Sequence, residues 1–277
     1  MSRPRGSRHD TGGWNKIKVQ NKQIRNRKII LNNLLINYYF LLPDKQSFKT
    51  LVFLHGWGVD SRLWFKIIPE LINKNYSLYF LDLPGFGLSQ IPNTTYGVDD
   101  YKATVYEFIK KLGLKKINLI GHSFGGRITI KIASENPEFL EKIVLVDTAG
   151  IVTASKIKKI SALIAKVIGP IFKPNFMQPL RKKFYFLIGS EYLENKKLSK
   201  IFSKVVSENL TRLLIRIKKP ALIIWGKNDR ITPLYYGQLM NKLIPKSKLV
   251  VFEKAGHFSF LDQPEEFVKE LNSFLME

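Results

Sequence analysis

Short apolar runs alternate along the chain with longer stretches in which apolar residues recur at helical spacing. The runs predict strands at residues 50–54, 77–81, 117–120, 143–146, 221–225 and 248–252. Helical spacing predicts helices at residues 63–72, 99–111, 124–134 and 264–275. Upstream, residues 28–42 predict an antiparallel hairpin or edge pair. This alternation is typical of an α/β fold in which helices cover both faces of a mostly parallel sheet.

The alternation is interrupted between residues 151 and 219, where no strand-like run is bounded by turn signals. The segment has helical spacing and contains Pro170, Pro174 and Pro179. We interpret residues 151–215 as a helical insertion between two strands of a core built from residues 21–150 and 216–277. Residues 1–20 are expected to form a mobile basic tail.

Charge is distributed unevenly over the 277 residues, which carry a formal net charge of +23. Residues 1–30 hold nine Lys/Arg and one acidic residue, and residues 151–219 hold 16 Lys/Arg and three acidic residues. Elsewhere the two signs nearly balance. The charge pattern therefore predicts two kinds of surface on one chain.

Two absences in the sequence narrow the class of protein. The chain has no cysteine, which excludes a thiol nucleophile, a disulfide framework and cysteine-based zinc sites. No apolar run approaches the ~20 residues of a spanning helix, and no apolar core follows the basic N-terminus as in a secretory signal. A cytoplasmic location is the resulting expectation.

The clearest chemical signal is GHSFGG at residues 121–126, which follows a predicted strand and opens a predicted helix. A sharp strand-to-helix turn needs small neighbours and lifts the serine hydroxyl to a helix N-terminus. There the free N–H groups favour developing negative charge. The motif predicts Ser123 as a nucleophile.

A serine nucleophile needs a base, and the base needs a carboxylate that orients it. The chain has four histidines. Of these, His257 follows the last predicted strand, whereas His122 adjoins the nucleophile and is expected to point away from it. Asp229 follows the preceding strand, which gives the chain order Ser…Asp…His. Asp147, at the end of another strand, is the rival acid.

An oxyanion formed by attack on a carbonyl needs N–H donors beside the nucleophile. We expect them to be the backbone N–H groups of Phe124 and of Trp57, which belongs to HGWG at residues 55–58. His55 is expected to bond within that loop rather than act as a base. Candidate apolar walls of a substrate pocket are Trp57, Phe124, Ile151 and Phe258.

Taken together, these motifs resemble those of the α/β-hydrolase superfamily in the group with a helical cap. The matching motifs include DLPGFGLS at 82–89, GKNDRITP at 226–233 and AGH at 255–257. The resemblance implies an eight-stranded sheet, a cap over residues 151–215, and hydrolysis without a cofactor or a metal. HGWG and DLPGFG are also similar to motifs of the pimeloyl-acyl-carrier-protein methyl ester esterases.

The predicted function is serine-dependent hydrolysis of carboxylic esters through an acyl-enzyme. A carbon–carbon-bond hydrolase or a thioesterase with the same three residues is an alternative within enzymes. A non-catalytic binding protein on the same fold is an alternative of another class. The basic cap could contact an acidic carrier protein or an anionic membrane surface. No recognition motif supports nucleic-acid binding.

Overall fold

A computed structural model describes residues 18–19, 22–44, 47, 49–152 and 195–277. Most of the predicted tail and residues 153–194 of the predicted insertion lie outside the described residues. The division into tail, core and cap therefore stays a prediction.

An eight-stranded sheet forms the centre of the described chain, which confirms the predicted α/β fold. Its strands are β1 Arg25–Leu31, β2 Leu34–Leu41, β3 Lys49–Leu54, β4 Tyr76–Leu81, β5 Ile117–His122, β6 Leu140–Val146, β7 Ala221–Gly226 and β8 Ser247–Phe252. Their order in the sheet is β8-β7-β6-β5-β3-β4-β2-β1. Strand β2 runs antiparallel to β1 and β4, and the other neighbouring pairs are parallel. A separate short pair joins Lys18–Val19 to Lys22–Gln23.

The central strands read as continuous apolar runs because both faces of the sheet are covered. Every residue of β5 and of β7 is buried. The helices are α1 Ile68–Leu71, α2 Val98–Lys111, α3 Phe124–Ser134, α4 Lys196–Ser207, α5 Thr211–Leu214, α6 Tyr235–Leu243, α7 Ser259–Asp262 and α8 Pro264–Met276. Residues of α2 to α6 join one apolar cluster, and residues of α7 and α8 join a second one.

The predicted helix at residues 63–72 is confirmed as helical, but it is divided into three segments. The 3₁₀ helices Ser61–Ile67 and Ile72–Lys74 flank the four-residue α1. Pro69 has no N–H group, so it cannot donate the α-helical bond to the carbonyl of Phe65. Helix α6 lies where no helix is predicted.

Helices α4 and α5 lie in the C-terminal part of the predicted insertion. Leu198, Ile201 and Val205 of α4 are buried in the same apolar cluster as α2 and α3. This part of the insertion therefore packs against the core. Along the described segments, none of the helices has both the length and the hydropathy needed to cross a membrane.

Candidate active site

Ser123 lies in the turn between β5 and α3, in a backbone conformation that side chains rarely adopt (φ 50°, ψ −105°). Two glycines of the GHSFGG motif pack so closely against neighbouring atoms that a side chain would not fit at either position. A Cβ atom on Gly121 would lie 2.4 Å from Thr129 Oγ1, and one on Gly125 would lie 2.4 Å from the carbonyl oxygen of Leu54. The glycines of the motif therefore hold the serine at the carboxyl edge of the sheet.

The three residues predicted as a catalytic set form one continuous hydrogen-bonded chain. The Oγ of Ser123 lies 3.1 Å from Nε2 of His257, and Nδ1 of His257 lies 2.8 Å from Oδ2 of Asp229. The side chain of His257 is 8% exposed and that of Asp229 is fully buried. With a proton on Nδ1 donated to the carboxylate, Nε2 is free to accept the serine proton.

The carboxylate of Asp229 is held by its own loop. Its Oδ1 accepts hydrogen bonds from the N–H groups of Ile231 (2.8 Å) and Thr232 (2.9 Å). Its Oδ2, which faces His257, also lies 2.6 Å from Oγ1 of Thr232. These donors fix the orientation of the carboxylate toward His257. Thr232 is a contributor that the sequence did not single out.

Asp147, the rival acid, lies in the same region but contacts different groups. It is fully buried at the end of β6, and burial raises the pKa of its carboxyl group to about 7. Its Oδ1 accepts from the N–H of Gly226 (2.8 Å). Its Oδ2 accepts from the N–H (3.0 Å) and the hydroxyl (2.6 Å) of Ser259. Of the two carboxylates, Asp229 is the one within hydrogen-bond distance of His257.

The HGWG loop packs directly against the serine turn. A Cβ atom on Gly56 would lie 3.4 Å from the Cβ of Ser123, and the N–H of Gly125 donates to the carbonyl of His55 (3.0 Å). His55 bonds within its surroundings: its Nδ1 donates to the carbonyl of Gly56 (2.7 Å) and its Nε2 accepts from the N–H of Leu83 (3.0 Å). The loop that contains Trp57 thus lies beside the serine turn, and the oxyanion role of the Trp57 and Phe124 N–H groups stays a prediction.

Comparison with known proteins identifies the family. The model of the alpha/beta hydrolase family matches residues 51–270, a range that includes the serine turn, both acidic residues and His257. The chain belongs to this family.

Relatives within the alpha/beta hydrolases differ in the reactions that their names describe. The chain is 27% identical over 245 residues to a pimeloyl-[acyl-carrier protein] methyl ester esterase of Aliivibrio fischeri, covering 81% of this chain and 93% of the relative. It is 26% identical over 250 residues to a 2-hydroxy-6-oxononadienedioate/2-hydroxy-6-oxononatrienedioate hydrolase of Pseudomonas, covering 82% and 88%. The structure of an esterase from Exiguobacterium antarcticum superposes with a TM-score of 0.73 at 24% identity, covering 90% and 99%, which shows the shared fold.

Near the alpha/beta-hydrolase site, aromatic side chains cluster around Trp57, and one of them, Phe124, directly follows Ser123. The ring of Trp57 lies 4.8 Å from that of Phe86, 5.3 Å from that of Phe124 and 5.1 Å from that of Phe202 in α4. Ile151 is buried in the same apolar cluster. Phe202 was not predicted, because its contact with Trp57 joins residues that are far apart in the sequence.

Phe258, the fourth residue that was predicted to line the pocket, contacts a different set of side chains from Trp57 and Phe124. Its ring lies 5.0 Å from that of His122 and packs against the second apolar cluster. The Nε2 of His122 donates to the carbonyl of His257 (2.8 Å), and the rings of the two histidines lie 5.0 Å apart. Burial holds the pKa of His122 well below its ordinary value, so the ring is neutral. His122 therefore ties the loop of the base to the serine turn.

Proposed function

We propose that this hydrolase cleaves carboxylic esters through an acyl-enzyme intermediate, with Ser123 as nucleophile, His257 as general base and Asp229 as the acid that orients it. The observation that carries the proposal is the hydrogen-bonded chain from Ser123 Oγ through His257 to Asp229, with distances of 3.1 and 2.8 Å. The strained serine turn adds support, because such strain persists mainly where function requires it.

In the proposed first half-reaction, the Oγ of Ser123 attacks the ester carbonyl carbon while Nε2 of His257 takes the hydroxyl proton. The carbonyl oxygen becomes an oxyanion, which the N–H groups of Trp57 and Phe124 would stabilise. The carbon–oxygen bond to the alcohol then breaks, and His257 returns the proton to the leaving oxygen. The products of this step are the free alcohol and Ser123 esterified by the acyl group.

In the second half-reaction, a water molecule replaces the alcohol. His257 takes a proton from this water as it attacks the acyl carbon, and the acid leaves as Ser123 regains its proton. Asp229 accepts the hydrogen bond from Nδ1 of His257 and stabilises its transient imidazolium. Ser123 also precedes the 11-residue helix α3, whose N-terminal dipole favours the developing negative charge.

The choice of an ester rests on the surroundings of the serine. Trp57, Phe124 and Phe202 form an apolar aromatic group beside it, which suits an acyl or alkyl chain. The similar relative from Aliivibrio fischeri acts, by its name, on a methyl ester. Cleavage of a carbon–carbon bond is the second candidate, since the relative from Pseudomonas is named for a 2-hydroxy-6-oxo dienedioate and matches a comparable share of the chain.

The expectation of an acidic carrier or an anionic membrane partner stays a prediction. Within the described part of the insertion, Lys196, Lys197, Lys200 and Lys204 of α4 are exposed. Their charge is compatible with either partner.

The test is hydrolysis of a series of p-nitrophenyl esters from acetate to palmitate, with Ser123→Ala as the matched control. We expect activity that is lost in the Ser123→Ala variant while its thermal unfolding is unchanged. The ester that gives the highest kcat/KM then indicates the length of acyl chain that the apolar pocket accommodates. Absence of cleavage by the folded protein would refute the ester assignment, and ring-fission diketones and thioesters would be assayed next.

A further inference from the structure

One buried carboxylate joins the two loops that carry the acid and the base. Gly226 ends β7, three positions before Asp229, and its N–H donates to Oδ1 of Asp147. Ser259 follows His257 by two positions and donates its N–H and its hydroxyl to Oδ2 of the same carboxylate. The two oxygens of Asp147 therefore hold one loop each.

A further contact links Asp147 to the acid through Thr232. The Oγ1 of Thr232 lies 3.0 Å from the carbonyl oxygen of Asp147 and 2.6 Å from Oδ2 of Asp229. The backbone at Asp147 is itself left-handed, with φ 45°, a conformation that is costly for a side-chain-bearing residue. The surroundings thus hold Asp147 in place although its backbone conformation is unfavourable.

We propose that Asp147 is a positioning residue, which fixes the separation between the loop of Asp229 and the loop of His257 and so sets the alignment of His257 with Ser123. The inference rests on the proposed function, because it assigns Asp147 a part in orienting that catalytic set. Asp147 itself does not touch the reacting atoms.

The chemistry of the partners explains why a carboxylate is needed at this position. Both loops present backbone N–H donors to Asp147, and each oxygen of a carboxyl group can accept one of them whether the group is ionised or protonated. An asparagine has one acceptor oxygen and would turn its amide N–H₂ toward one of the two backbone donors. Because Asp147 is completely buried, water cannot replace the lost bond. The charged groups that face it are His257, when protonated, and Asp229.

Loss of one loop contact would act on the catalytic set rather than on substrate binding. The contacts from His257 to Ser123 and to Asp229 each span two separate loops, so a relative shift of the loops changes both distances. A misplacement of about 1 Å at such a site can lower the rate about a hundredfold. We therefore expect kcat to fall while KM stays nearly constant.

The experiment compares the wild-type protein with Asp147→Asn and Ser259→Ala. Labelling by a fluorophosphonate reports the activation of Ser123 directly and needs no natural substrate. In this reaction the Oγ of Ser123 displaces fluoride from phosphorus and forms a stable adduct. The downfield NMR resonance of the proton between His257 Nδ1 and Asp229 reports the alignment independently of turnover.

Asp82→Asn is the matched control, because Asp82 is also a buried aspartate directly after a strand, β4. It accepts hydrogen bonds from the N–H (3.0 Å) and the hydroxyl (2.5 Å) of Ser61 and from the N–H of Leu88 (3.0 Å).

We expect Asp147→Asn to slow labelling about 10- to 100-fold and to shift or broaden the downfield resonance. Ser259→Ala, which removes only the hydroxyl donor, is expected to slow labelling by a smaller factor. Asp82→Asn should lose thermal stability yet keep the resonance. If Asp147→Asn does not fold, the Ser259→Ala comparison decides.

Folded variants that label at the wild-type rate with an unchanged resonance would overturn the positioning role. A wild-type protein that is not labelled at all would instead refute the proposed function itself. A resonance lost equally in Asp82→Asn and Asp147→Asn would show a general structural effect and would also overturn the inference.

Discussion

Replacing Asp229 by asparagine reverses the hydrogen-bonding role of the group that faces His257. Oδ1 of Asp229 accepts from two backbone N–H groups, those of Ile231 and Thr232. The asparagine oxygen must take that position, because an amide nitrogen there would face two donors. The amide N–H₂ is thereby directed at Nδ1 of His257, where Oδ2 of Asp229 accepts at 2.8 Å.

The consequence for the base is a change of tautomer. With a donor facing Nδ1, the neutral imidazole carries its proton on Nε2, which then faces Ser123 Oγ at 3.1 Å as a donor. His257 can no longer take the serine proton in this form. The same change in other Ser-His-Asp sites costs about 10⁴ in kcat, equivalent to about 5.5 kcal/mol of transition-state stabilisation.

The assay is kcat for the best p-nitrophenyl ester with wild type, Asp229→Asn and Asp147→Asn, together with thermal unfolding of each. We expect the Asp229 variant to keep its unfolding temperature within a few degrees, since both backbone bonds to its oxygen survive. Its kcat is expected to fall further than that of Asp147→Asn. An Asp229→Asn protein that keeps more than a tenth of wild-type kcat, or a larger loss in Asp147→Asn, would refute the assignment of Asp229 as the acid.

Further predictions concern the turn, the buried carboxyl group and the pocket. Gly125→Ala would press a Cβ against the carbonyl of Leu54, at 2.4 Å, and should lower the free energy of unfolding by about 1–3 kcal/mol, measured by urea titration. Burial raises the pKa of Asp147 from 3.8 to about 7, so the folded state keeps a proton that the unfolded chain releases. The contribution of this group to the free energy of unfolding is therefore complete at acid pH and is lost as the pH rises to about 7. Asp147→Asn should flatten that decline in unfolding experiments. Phe202→Ala, which removes the ring 5.1 Å from Trp57, should raise KM for long-chain esters several-fold with little change in kcat, and an unchanged KM along the ester series would exclude Phe202 from the pocket.

The sheet could be predicted closely because its strands are apolar runs that end in turn signals. The predicted strand at 221–225 differs from β7 by one residue, whereas β6 begins at Leu140 rather than at residue 143. Glu141 and Lys142 follow Leu140 in β6 and interrupt its apolar pattern. Lys142 pairs with Asn118 of β5, and Glu141 lies where the register of the two strands shifts. A pattern of side chains does not reveal this backbone pairing.

Helix α6 was missed because its interior contains Gly237, which resembles a turn signal. In the structure the glycine is needed for packing: a Cβ there would lie 2.7 Å from the ring of Trp225. A close contact between a helix and a strand that precedes it cannot be read from local sequence.

The sequence predicted the three residues that the structure brings into one hydrogen-bonded chain, but it did not predict the separate contacts of the two acids. Asp147 and Asp229 both follow strands of one sheet edge, so the sequence offered two acids for one histidine. Only the spatial arrangement separates them, since Asp229 faces His257 and Asp147 joins the two loops. Thr232 lies within GKNDRITP without a predicted role, and Ser259 lies outside the quoted motifs; the hydrogen bonds of the structure show what each residue contacts.

The central claim is that Ser123 becomes acylated during turnover. The direct measurement is peptide mapping by mass spectrometry after the protein has been mixed with a p-nitrophenyl ester and quenched in acid. The account predicts the acyl mass on the peptide that contains Ser123, and no adduct in Ser123→Ala. An adduct on another residue, or undiminished hydrolysis by Ser123→Ala, would contradict it.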